Sequence, residues 1–170
     1  MQIIKKRLNA IYNRQEVIEI MHCFESLFNT QNLVSTALTA GAAATFGGSA
    51  GMYMLNGQIY TLASFTTQAV PASLALSATG FNAAAFYVGV DKTGTISTYA
   101  SNISSSTVSA ANALATVDLP AIPDGIVILG LYVIQSAATA FTPGTTLLNA
   151  AGITTTVINT VGPLYPYTLI

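Results

Sequence analysis

The sequence predicts a mainly β protein, an antiparallel β-sandwich or barrel of about seven strands with an N-terminal α-helical arm. Three observations predict it. Short apolar runs recur along the chain, each closed by a Gly, Pro or Asp turn. One of those turns is an Asn-Gly pair, Asn56-Gly57, set between two strand-like runs. Such a pair is a strong hairpin signal, because both turn positions need positive φ and these two residues tolerate it. Finally, charge is gathered at the start of the chain, which sets residues 1–32 apart as an arm from a β domain over 33–170.

The charge distribution carries most of the functional information. Charged residues make up 6% of the 170, against roughly 25% in ordinary soluble domains. Lys5, Lys6, Arg7 and Arg14 are four of the five basic residues, and Glu16, Glu19 and Glu25 three of the six acidic ones. From Gln31 onward only Asp91, Lys92, Asp118 and Asp124 are charged. The hydrophobic share is 52%, but much of it is Ala interleaved with Ser, Thr, Asn and Gly. A body of this kind has little repulsion to keep copies apart. It would be a solubility risk as a free monomer and none as a subunit locked into an assembly.

The arm opens with Ile4, Leu8 and Ile11 at helical spacing among its basic residues. Asn13 with Glu16 three residues on resembles a capping box and predicts a helix from Arg14 to about Phe28. Val17, Ile20, Met21, Phe24, Leu27 and Phe28 form its apolar stripe. Two readings follow: an anchor docked on a neighbouring subunit, or a helix packed on its own domain behind a basic start. Leu33 to Gly51, rich in Ala, Thr, Ser and Gly, reads as a linker entering the sheet domain, with a short strand at 36–40.

The hairpin comes next, Gly51 to Leu55 and Gln58 to Ser64. Thr66 to Pro71 reads as a loop, and Leu74 and Leu76 alternate with small residues as in a strand or its approach. Ala83 to Val90 reads as a core strand. Asp91-Lys92-Thr93-Gly94 is a tight turn with Gly at the position that needs positive φ. Thr95 to Tyr99 returns as the partner strand. Ser101 to Thr116 lacks a clear period and reads as a helical turn or surface loop. Ile126 to Gln135 is the most apolar strand and is placed at the centre of the core. Thr145 to Gly152 reads as a short helical turn or extended loop, and Ile153 to Asn159 as the last strand, rich in β-branched residues. Pro163 and Pro166 argue against a paired strand in the tail. The tail then reads as extended, with Tyr165 and Tyr167 as anchors.

The chain offers little for chemistry. Its one histidine and one cysteine, His22 and Cys23, are adjacent, so on a helix they point about 100° apart. No Cys-x-x-Cys or His-x-x-x-His spacing suggests zinc, and no metal or other cofactor is expected. A Ser-His-Asp set lacks its base, because the body has no histidine. Asp91 and Asp124 occupy turn positions where Asp serves local hydrogen bonding, and Asp118 precedes a Leu-Pro loop. No catalytic residues are assigned and no enzyme is expected. The longest apolar run, Ile126 to Ile134, falls short of the ~20 residues that span a bilayer, so no membrane partner is expected. Net charge is −1, so no global field recruits nucleic acid. Arg14, Glu16 and Glu19 interrupt any secretory apolar core. Cys23 stands alone, so no internal disulfide framework forms.

Four stretches carry a family resemblance. They are Tyr53 to Tyr60, Phe86 to Thr95, Leu119 to Gly130, and Phe141 to Thr154 with its Phe-Thr-Pro-Gly-Thr-Thr-Leu-Leu-Asn-Ala-Ala-Gly run. In that order they resemble small structural proteins of tailed-bacteriophage virions, of the capsid decoration or cement type. The likeness covers roughly 52–156, and the arm lies outside it. The resemblance implies localisation in the virion and a non-enzymatic subunit that binds the shell surface and reinforces contacts between subunits. The implied partners are the major capsid protein or other virion subunits and further copies of the chain, a trimer fitting a threefold position. Val17, Ile20, Phe24, Leu27, Tyr165 and Tyr167 are the candidate interface residues. The alternative within the same class is a tail, fibre or vertex component whose loops, such as 101–116 or 141–146, bind host glycans.

Overall fold

The computed structural model describes residues 30–41 and 44–162. The expected arm helix, with Val17, Ile20, Phe24 and Leu27, lies outside the described residues, as do Tyr165 and Tyr167. The described chain is mainly β, with three antiparallel sheets. Its strands are β1 (Gln31–Val34), β2 (Leu38–Ala40), β3 (Thr45–Gly48), β4 (Gly51–Leu55), β5 (Gln58–Leu62), β6 (Phe65–Ala69), β7 (Phe81–Val90), β8 (Ile96–Ala100), β9 (Ser104–Ser106), β10 (Val127–Ala137) and β11 (Ile153–Asn159). One short helix, α1 (Ala110–Leu114), is capped by Ser109, whose side chain accepts from the Asn112 amide.

The largest sheet runs β11-β10-β7-β8, with β9 pairing the other end of the β7 edge that β8 occupies. Strands β7 and β10 pair along almost their whole length, Val127 opposite Val90 through to Ala137 opposite Phe81. Both are buried on both faces. Ala84, Phe86, Val88 and Val90 point into the main core, while Ala83, Ala85 and Tyr87 point into a second cluster with Ala113 and Val117. Two buried faces explain why these runs are nearly continuously apolar.

In β10 the alternation changes phase. Val127 and Leu129 face the main core, but beyond them it is Tyr132 and Ile134 that do. The cause is a β-bulge, where register slips between Ile128 and Gly130. One extra residue exchanges the faces of all that follow. Glycine is required at the bulge, because a Cβ on Gly130 would stand 2.6 Å from the Leu38 side chain and 2.7 Å from the Ile158 carbonyl oxygen. The displaced carbonyls find partners in Thr160, whose Oγ1 donates to Ile128 and whose amide donates to Leu129.

The other two sheets, β1-β4-β5 and β2-β3-β6, are successive halves of one layer. Strands β3 and β4 follow each other directly, as do β5 and β6, and the layer breaks between them. Small residues permit the break: a Cβ on Gly48 would meet the Phe65 ring and the Thr36 methyl, both within 2.7 Å. This layer meets the large sheet through the main core. Phe46 of β3 lies against the stacked pair Phe86 and Tyr132, at ring-centroid distances of 5.5 and 5.4 Å. That pair stands directly cross-strand, 4.9 Å apart and nearly parallel. The Tyr132 hydroxyl donates to the Thr39 carbonyl at 3.1 Å, tying β10 to β2. Burial pushes its pKa well up.

Several expectations need correction. The segment Leu33 to Gly51, read as a linker with one short strand at 36–40, holds that strand as β2 but also β3, and contributes Leu38, Ala44 and Phe46 to the core. Thr66 to Pro71, read as a loop, is largely β6. The described residues hold eleven strands where about seven are expected, because a broken layer and three- or four-residue strands leave little periodic signal. The hairpin, β7, β8, β10 and β11 fall where the sequence places them. Asn56 and Gly57 have φ of +52° and +77°, and Gly94 has +81°.

Candidate functional site

None of the eleven described strands contains a charged side chain or a proline. The four charges of the described residues sit on the β7–β8 turn and the loop before β10. Three of them, Asp91, Lys92 and Asp124, line one open cleft of about 520 Å³ with Leu55, Asn56, Gln58, Tyr60, Gly125 and Ile126. The cleft is therefore built from three turns distant in sequence: the β4–β5 hairpin, the Asp91 turn and the Asp124-Gly125 turn.

Its geometry is held from below. Tyr53 is buried, and its hydroxyl donates to the Asp91 backbone carbonyl at 2.7 Å. Its ring stacks on Tyr60 at 5.4 Å. Burial and the nearby Asp91 charge raise the Tyr53 pKa, so the phenol stays a donor. The Asp91 Oδ1 accepts from the Thr93 amide (2.8 Å), the Thr93 hydroxyl (2.7 Å) and the Thr95 amide (3.0 Å). The Thr93 hydroxyl first, then the Thr95 amide, holds its pKa below the ordinary value. This carboxylate organises its own turn, the role its sequence position predicts.

Among the described residues no group of three His, Cys, Asp or Glu could hold a metal ion, and no helix is long and apolar enough to cross a membrane. Asp118 is exposed and its amide donates to the Asn102 side chain, away from the cleft. His22 and Cys23 lie outside the described residues.

The loops suggested for glycans have structural duties. Ser101 to Thr116 contains β9 and α1 and covers the second cluster through Ala113. Ser104 and Thr116 hydrogen-bond within it. Phe141, the aromatic of the other loop, is fully buried and pairs with Leu76.

The remaining feature is apolar. Val34 and Met52 are directly opposed across β1 and β4, as are Met54 and Ile59 across β4 and β5. They face away from the core, and Val34, Met52 and Ile59 are 48, 38 and 57% exposed. Sequence reasoning missed this face, although the alternation Met52-Tyr53-Met54-Leu55 is its signal: two apolar sets on opposite sides of one strand. No protein-family model matches the chain, no curated protein is significantly similar to it, and no solved structure matches its fold significantly.

Proposed function

We propose that this protein is a non-enzymatic structural subunit of a tailed-bacteriophage virion, a decoration or cement protein that binds the capsid shell and reinforces contacts between shell subunits. The observation that carries the reading is the absence of charge and proline from every described strand. Natural sheets that remain alone protect their edges with Lys, Pro or inward charges. Here the edge strand β11, Ile-Thr-Thr-Thr-Val-Ile-Asn, offers six β-favouring residues before its final Asn, with no such device. Such edges suit a chain whose neighbours cover them. The two-layer packing, read as a sandwich, and the family resemblance of 52–156 support the same reading. Homo-oligomers, trimers among them, follow from closed symmetry at particle positions.

The test is cryo-electron microscopy of virions purified from the system that encodes the chain. Density for this chain over the shell subunits supports the proposal. Density only at the tail or a fibre tip moves the assignment to the alternative, an attachment component. A particle with no copies of the chain overturns it.

A further inference from the structure

We propose that the outer face of the β1–β4–β5 sheet is the seat of this chain's own residues 14–28, whose stripe Val17, Ile20, Phe24 and Leu27 lies on Val34, Met52, Met54 and Ile59. The inference does not depend on the virion reading.

Three observations fix the occupant. The first is the face itself, where Val34, Met52, Met54 and Ile59 form an uncharged apolar patch bordered by Gln31 and Thr61. The second is where the preceding chain arrives. β1 is an edge of this sheet, antiparallel to β4, and begins at the hairpin tip, Gln31 opposite Met54. The Thr30 hydroxyl accepts from the Asn56 amide at that tip. A helix ending at Phe28 needs only Asn29 and Thr30 to reverse into β1, within the usual connection of about 2–6 residues between a helix and a strand. It then runs back over the sheet to which β1 belongs. The third is size. Fifteen helical residues span about 22 Å, and a five-residue strand about 17 Å, so one helix covers the face from end to end.

A second copy of the same face fits less well. Three strands about 4.8 Å apart offer well under the roughly 800 Å² per partner of a stable interface. A short tether also gives the chain's own helix an effective concentration of about millimolar or more, which a neighbour's must match.

The experiment uses the full chain with Cys23→Ser and a single reporter, Ile59→Cys or Met52→Cys, modified by a charged maleimide. Val108→Cys, at a position 72% exposed, is the reference. Both reporters should react at least about tenfold more slowly than the reference, at every protein concentration. Phe24→Ser, or Ile20→Ser with Leu27→Ser, should release that protection. Rates equal to the reference overturn the proposal, as does protection that survives both sets of substitutions. Protection that fades on dilution overturns it in favour of an arm or face supplied by another copy.

Discussion

The β7–β10 pair and the β1–β4–β5 sheet solve the same packing problem with opposite results. In β7 and β10 both faces are buried, one against the broken layer and one beneath α1. Ten register positions join them, and a one-residue slip would turn Phe86 and Tyr132 out of the main core. In β1–β4–β5 only one face is buried. Tyr53, Leu55 and Leu62 point inward, while Val34, Met52 and Ile59 face outward. The first region is specified by its own contacts. The second is specified on one side and leaves an apolar surface whose cover must come from elsewhere. A protein can thus have a finished core and an unfinished surface, and the unfinished part is where partners or terminal segments act.

Breaking the first region should cost most. Phe46→Ala removes the ring that joins the two layers at Phe86 and Tyr132, and should lower stability by about 3–5 kcal/mol. Urea unfolding would show a lower midpoint at an unchanged slope. Gly130→Ala forces a methyl group against Leu38 and the Ile158 carbonyl at the bulge. Its expected cost is about 1–3 kcal/mol, from overpacking, read from the same titration. At the junction of the two regions, Tyr53→Phe deletes the hydrogen bond to the Asp91 carbonyl. A loss of about 1 kcal/mol is expected, with amide exchange quickening around Gly94 and Thr95.

The second region responds through coupling. Phe24→Ser and Ile59→Ser should each destabilise, and together by less than their sum. A double-mutant cycle should return a coupling of at least about 0.5 kcal/mol, and a value of zero would separate the arm from the face. The smallest effect belongs to the cleft. The folded pKa of Asp91 is lowered below its ordinary 3.8 by the Thr93 hydroxyl and the Thr95 amide. Its contribution is therefore fully present above that ordinary value and lost as pH falls through the lowered folded value. Asp91→Asn should lower the melting temperature at neutral pH and flatten the acid limb of the stability profile. An unchanged acid limb would show that the turn does not depend on the charge.

Much of the fold was legible. Asn56-Gly57, Asp91 to Gly94 and Gly152 mark turns through their need for positive φ, and the β-branched run Ile153 to Asn159 marks β11. The shortest strands were read poorly. Thr-Phe-Gly-Gly of β3 has no period to detect, and Ser104 to Ser106 has no apolar residue at all. Such segments become strands because a longer partner offers hydrogen bonds, β7 in the case of β9. The cleft was invisible for a related reason: Asp91, Lys92 and Asp124 read as isolated turn residues, and nothing local says that three turns end side by side.

By itself, then, the sequence determined where the chain turns, which runs are apolar enough to be buried, and that Asp91, Lys92 and Asp124 fall on turns, because these follow from φ preferences, hydration and composition. Only the tertiary structure decided that Leu129 is an extra residue, that Phe46 meets Phe86 and Tyr132, and that Met52 and Ile59 share an outward face. Those outcomes depend on register and on which sheet lies opposite. Contacts between residues far apart in the chain set both, and no local pattern records them.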